Sequence, residues 1–221
     1  APLFSSKKLK RPIHFSYTFD EETGCLGAPI ILEDLNKRNI KFSSCIIGEP
    51  TNMKAVNANK GYNEYKTHFI GLSGHASNPE RGVSAIEIAI LYSNKLMELR
   101  DELKKRSKNH KIFFPSYSTL QIGKITGGIG ANVIADQCSL EWEVRPINKD
   151  DSEFVNRNID DFTKNILLPI IKKDNPKGDI QKEIIGEVVG FNKTESSEAV
   201  NLVCNLTGDN SIETMAFGTE A

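Results

Sequence analysis

The residues best suited to chemistry in this 221-residue chain sit in two acidic turns. One is Asp20-Glu21-Glu22-Thr23-Gly24, after the run His14-Phe15-Ser16-Tyr17-Thr18-Phe19; the other is Gly48-Glu49-Pro50-Thr51, after Ser44-Cys45-Ile46-Ile47. Carboxylates gathered where strands end, at the mouth of an α/β sheet, are a common way to hold a cation near a substrate. Adjacent side chains of an extended strand face opposite ways, so Glu21 and Glu22 can serve one centre only in a turn, which Thr23-Gly24 supplies. One carboxylate can then ligate metal while its neighbour handles the proton of a bound water. The plain alternative is a solvated acidic loop. Pro50 restricts Glu49 to an extended backbone and so fixes where its carboxylate points. A zinc centre normally adds histidines, and no His-x-Asp or His-x-x-x-His pair accompanies either turn.

Other candidates lie further on. His75, in Gly74-His75-Ala76-Ser77, precedes a helical pattern, with Pro79 and Gly82 shaping the loop; a lone histidine is more often structural or merely exposed. Gly127-Gly128-Ile129-Gly130-Ala131-Asn132 lacks the Gly-Lys-Ser/Thr ending of a phosphate loop, and a strand-like segment follows it. It reads better as a connection that lets backbone approach a ligand. Arg145, before Pro146 at a strand end, has the forked geometry that clamps a carboxylate, with a surface ion pair as the alternative.

These residues need elements to position them. The first 51 or so residues read as strand, acidic turn, helix or loop at 29–35, strand and acidic turn, the order of a parallel α/β unit. From 62 onward the rhythm changes. A strand at 62–70 precedes a helix from about 83 to 105 with apolar positions Ile86, Ala89, Ile90, Leu96, Leu99 and Leu103. Strands follow near 119–125 and 138–144, the second alternating Leu140, Trp142 and Val144 with charged residues. A helix capped by Asp150-Asp151 carries Val155, Ile159, Phe162, Ile166 and Ile170, with Pro169 kinking or shortening its end. A strand at 183–189 completes β-α-β-β-α-β, the ferredoxin-like order, whose free sheet edge or helix face offers a dimer surface. From Thr194 a capped helix at 198–206 ends at Gly208, and the apolar run Thr214-Met215-Ala216-Phe217 follows.

Composition narrows the function classes. A hydrophobic share of 38%, a charged share of 26% and a net charge of -1 suit a soluble globular protein and offer no basic field for nucleic acid or an anionic membrane. The basic runs Lys7-Lys8, Lys10-Arg11 and Lys104-Lys105-Arg106 carry no interleaved aromatics and read as solvated surface. No apolar stretch reaches the roughly 20 residues a membrane helix needs. Four scattered cysteines (Cys25, Cys45, Cys138, Cys204) form no Cys-x-x-Cys pair and suit a reducing, cytoplasmic setting.

Taken in order, the motifs Phe15-Ser16-Tyr17-x-x-Asp20-Glu21-Glu22-x-Gly24-Cys25, Ile46-Ile47-Gly48-Glu49-Pro50-Thr51, Lys60-Gly61, Gly74-His75-Ala76-Ser77-x-Pro79-x-x-Gly82-Val83-Ser84-Ala85-Ile86, Gly127-Gly128-x-x-x-Asn132-Val133-Ile134 and Glu143-Val144-Arg145-Pro146 resemble the dinuclear-zinc aminoacylase and carboxypeptidase-like metallohydrolases. Within that family the chain is most similar to members that deacetylate N2-acetyl-L-ornithine in arginine biosynthesis, through Leu9-Lys10-Arg11-Pro12-Ile13-His14 and Phe217-Gly218-Thr219-Glu220-Ala221.

The resemblance implies an α/β zinc-peptidase-like catalytic domain with an inserted ferredoxin-like α+β lid that also makes a homodimer. Residues 1–60 would be the first part of the catalytic domain, 61–175 the lid, and 176–221 the return to the catalytic domain. It further implies Glu21 as general base, Glu22 and Glu49 as ligands of two zinc ions (cobalt or manganese being alternatives), and His75 as an oxyanion donor to the partner subunit's site. Asn132, Arg145, Gly218 and Thr219 would meet a small N-acyl amino acid, Arg145 at its carboxylate. The family's remaining ligands are expected beyond both ends of the chain, so this chain alone is expected to be inactive. Alternatives are a succinyl-diaminopimelate desuccinylase or dipeptidase of the same family, or a non-catalytic dimerisation module.

Overall fold

A computed structural model describes residues 11–22, 24–106, 111–193 and 197–219. Lys7, Lys8, Leu9, Lys10, Thr23, Thr194, Glu220 and Ala221, named above, lie outside the described residues. The chain divides into two compact units, Ala1–Lys41 and Phe42–Ala221.

In the first unit the acidic turn closes on itself. The main-chain N–H groups of Gly24 and Cys25 both donate to the Glu21 carbonyl, and Leu26 and Gly27 donate to Asp20 and Phe19. Helix α1 (Gly27–Lys37) follows, its exposed face carrying Glu33–Lys37 and Asp34–Arg38 pairs at i,i+4, worth a few tenths of a kcal/mol each. The strands expected at 14–19 and 44–47 do not form. Both runs are apolar, but they join no ladder, and an extended segment needs a neighbour to take its backbone groups. Phe15, Tyr17 and Ile46 are exposed instead.

The second unit is built on a four-stranded antiparallel sheet. In chain order its strands are β2 (Tyr62–Ile70), β4 (Thr119–Gly127), β6 (Gln137–Arg145) and β7 (Asp179–Val188), and the spatial order is β4-β6-β2-β7. With helix α2 (Ala85–Arg106) between β2 and β4, and α3 (Lys149–Phe162) between β6 and β7, this is the expected ferredoxin-like arrangement. Period-two patterning sets the core: Asn63, Tyr65, Thr67 and Phe69 of β2 and Cys138, Leu140, Trp142 and Val144 of β6 are buried under the helices. Trp142 stacks on Tyr65 at 4.4 Å between ring centroids and donates its indole N–H to the Thr67 hydroxyl, 3.0 Å away, so these two buried polar groups have partners.

Three details depart from the expected pattern. The buried stripe of α2 is Ala85, Ile88, Ala89, Tyr92, Leu96, Leu99 and Leu103, which leaves Ile90 on the outer face beside Leu91 and Met97. The N-cap of α3 is Asn148, whose side-chain oxygen accepts from Asp151 N–H at 2.8 Å, rather than Asp150-Asp151. A π-turn, Thr163–Leu167, then joins α3 to α4 (Leu168–Asp174), with Pro169 in the first turn of α4. A π-turn adds one residue to the helical repeat, so the buried stripe passes from Ile159 to Leu167 and Ile171, and Ile166 and Ile170 are exposed.

The remaining elements join this layer at one end. Strand β1 (Ala55–Asn59) pairs in parallel with β8 (Ile212–Met215), and helix α5 (Glu198–Thr207) precedes β8. Ser197 caps α5 by accepting from Val200 N–H, and Gly208, with φ +72, ends it in the left-handed conformation. A short ladder of β3 (Gly74–His75) with β5 (Val133–Ile134) lies at the opposite end of the sheet.

Candidate functional site

The four-stranded sheet separates the candidate residues of the second unit into two groups. At the far end, past Ile70 of β2 and before Gln137 of β6, stand His75 and Asn132. The ladder pairs His75 with Val133, and Ala76 N–H donates to the Asn132 carbonyl at 2.9 Å. The loop holding His75 is closed at its base, where Leu72 and Val83 exchange main-chain hydrogen bonds of 2.8 and 2.9 Å. A Cβ on Gly82 would come within 2.6 Å of Ile134 and 2.9 Å of the Leu72 carbonyl, so this closure requires glycine. Ser77 donates its main-chain N–H to Nδ1 of His75 at 3.2 Å, and its hydroxyl lies 2.7 Å from the same nitrogen. The His75 and Asn132 side chains are both exposed.

At the other end stand Arg145, Gly218 and Thr219. The Arg145 guanidinium lies 4.3 Å from the centre of the Tyr62 ring and bonds Glu143 through Nε at 3.1 Å and through an Nη at 2.8 Å. A Cβ on Gly218 would sit 3.0 Å from Tyr62 Cβ, so this loop rests against the start of β2. Thr219 is buried. The Tyr62 hydroxyl hydrogen-bonds Glu64, and burial followed by that carboxylate pushes its pKa up to about 12. A substrate carboxylate at Arg145 would take the place of Glu143.

Between these groups and β1 the chain passes through a tight crossing. Asn59 N–H donates to Phe191 O, Lys60 N–H to Met215 O, and Gly61 N–H to Pro146 O. A Cβ on Gly190 would meet Gly61 N at 2.6 Å, and one on Gly61 would meet Val188 O at 2.8 Å. Inside the crossing Lys60 is fully buried; its ammonium donates to the carbonyls of Pro115 and Tyr117 at 2.7 Å each, and burial lowers its pKa to about 8. A recess of about 480 Å³ opens beside the crossing, lined by Asn63, Asn148, Ser152, Asn156 and Glu187, and contains none of the candidate residues.

The acidic residues are arranged differently. Glu21 and Glu22 occupy the closed turn of the first unit, Glu21 half-buried and Glu22 exposed. Glu49 is half-buried in the second unit, its carbonyl accepting from Thr51 N–H at 2.8 Å. Among the described residues, no three His, Cys, Asp or Glu side chains gather closely enough to hold a metal ion. Two carboxylates without histidine are a poor donor set for zinc.

The sequence motifs contain Ser77 and Lys60 but give neither a role. A serine two residues after a side-chain acceptor is well placed to fold its N–H back on it, so Ser77 had a local signal. The burial of Lys60 had no local signal, because it comes from segments far away in sequence.

Residues 57–170 match the family model of the peptidase dimerisation domain. That is more than half of the chain. The chain belongs to this family. The peptidase dimerisation domain covers β2 through the first turn of α4, including His75, Asn132 and Arg145. Across 217 residues the chain is 31% identical to acetylornithine deacetylase of Pasteurella multocida, covering 97% of this chain and 53% of that protein. The corresponding figures for the Proteus mirabilis acetylornithine deacetylase are 32%, 98% and 53%. The chain thus spans about half the length of these curated relatives. Two solved structures share the fold, a tripeptidase from Staphylococcus aureus (TM-score 0.62, 21% identity) and aminopeptidase PepT from Bacillus cereus (TM-score 0.63, 20% identity). Each alignment covers 92% of this chain and 50% of the other.

Proposed function

We propose that this chain forms the lid and part of the catalytic α/β domain of a metal-dependent amide hydrolase that removes acetyl groups from N-acetyl amino acids. N2-acetyl-L-ornithine is its first substrate, which gives it a place in arginine biosynthesis. The family match and the names of the relatives support the reaction class. The observation that carries the reading furthest is the separation of the two groups along one sheet. Strand β2 alone spans roughly 26 Å at about 3.3 Å per residue, so His75 and Asn132 cannot meet Gly218 and Arg145 of their own chain.

A second copy resolves that distance. In the proposed homodimer each chain sends His75 and Asn132 to the site that Arg145, Gly218 and Thr219 line in its partner. Strand β4, a sheet edge, and the adjoining face of α2 with Ile90, Leu91 and Met97 exposed supply a pairing surface. Glu21 accepts the proton of the attacking water, His75 donates to the oxyanion and Arg145 binds the substrate carboxylate. Glu22 and Glu49 contribute to a metal site that needs further donors. The lid, expected over 61–175, is taken here to run on through Val188, because β7 pairs with β2 in the lid's own sheet, and catalytic segments lie on either side. Four scattered cysteines with no Cys-x-x-Cys pair support a cytoplasmic setting.

The test is to exchange this chain for the matching stretch of the Pasteurella multocida enzyme and to assay N-acetylornithine, N-succinyl-diaminopimelate and small dipeptides. Preference for N-acetylornithine is expected; no preference for it overturns the substrate assignment. The 221-residue chain alone is expected to hydrolyse none of the three.

A further inference from the structure

We infer that Ser77 is a positioning residue that holds the His75 ring in the tautomer with its proton on Nε2. The inference rests on reading His75 as an oxyanion donor and goes one residue beyond it. An sp² ring nitrogen has one lone pair, and the N–H of Ser77 is directed at Nδ1 from 3.2 Å. A proton on Nδ1 would set donor against donor, so Nδ1 accepts and Nε2 carries the hydrogen. The Ser77 hydroxyl, 2.7 Å from Nδ1, then donates to the same nitrogen.

The backbone around the ring is fixed independently. His75 is in register with Val133, its carbonyl accepts from Asn78 N–H at 2.9 Å, and Ala76 N–H is held by Asn132. Both sides of the ring's bond to Ser77 are therefore anchored, and Nε2 is the nitrogen left to face a substrate. An oxyanion needs a donor at that nitrogen, and the opposite tautomer would present a lone pair to a negative charge.

The tautomer can be read directly by long-range ¹⁵N–¹H correlation on the imidazole-labelled 221-residue chain, about two pH units above the ordinary histidine pKa of roughly 6.5. His75→Ala identifies the signals. In the native chain Nε2 is expected to be protonated and Nδ1 bare. Ser77→Ala keeps the main-chain donor but loses the hydroxyl, and is expected to raise the ratio of Nδ1-protonated to Nε2-protonated ring about fivefold, the worth of one hydrogen bond of about 1 kcal/mol. Ser77→Thr is expected to restore the native ratio. A protonated Nδ1 in the native chain, or a Ser77→Ala spectrum indistinguishable from native, overturns the inference. The catalytic reading fails separately, if His75→Ala leaves kcat of the exchanged enzyme unchanged.

Discussion

The two ends of the four-stranded sheet solve opposite problems. At the far end His75, Ser77 and Asn132 are exposed, and main-chain hydrogen bonds fix the backbone of the loop that carries them. At the crossing end Gly61, Gly190 and Gly218 bring backbones into contact around a buried Lys60. Chemistry that must reach another molecule sits where side chains touch little of their own chain. Continuity between segments sits where glycines leave no room for a Cβ. Substitutions at the crossing should therefore change stability, while those at the far end should change chemistry and leave the fold intact.

The comparison can be broken from the middle outward. Trp142→Ala removes the largest side chain of the shared core and is expected to cost about 3–5 kcal/mol in urea unfolding, disturbing both ends together. Gly190→Ala forces a methyl group against Gly61 N and Asn59 O, and is expected to cost about 1–3 kcal/mol. Lys60 gives a pH signature. Its folded pKa, about 8, lies below the ordinary 10.5, so the unfolded chain binds more protons between those values. The penalty for burying the charge is full below pH 8, and stability from this group rises as pH climbs from about 8 to 10.5; in Lys60→Met melts that rise should vanish. His75→Ala is expected to stay within about 0.5 kcal/mol of native stability. A loss as large as that of Gly190→Ala would erase the distinction between the ends.

The sheet layer is legible in the sequence because its signals are local and agree. Alternation at 62–70 and 137–145 and the helical stripe through Leu96, Leu99 and Leu103 each name their buried face. The apolar runs at 14–19 and 44–47 mislead because composition does not say whether a pairing strand exists. Strand β1, Ala-Val-Asn-Ala-Asn, shows no alternation; β8, some 150 residues later, defines it. The shift from Ile166 and Ile170 to Leu167 and Ile171 needs a π-turn that helical periodicity assumes away. At the candidate site, residue types are readable from sequence but their division between two ends of one sheet is not, because it depends on strand order.

That division carries the account, and mixed dimers test it most directly. In the exchanged enzyme, His75→Ala and Glu21→Ala variants should each be inactive alone. Mixed and allowed to exchange subunits, half of the dimers combine one of each, and each such dimer holds one site with both residues intact. About a quarter of native activity is then expected to return, as random pairing in a two-fold dimer dictates. Mixtures that stay as inactive as the separate variants would mean that His75 serves its own chain, contradicting the account.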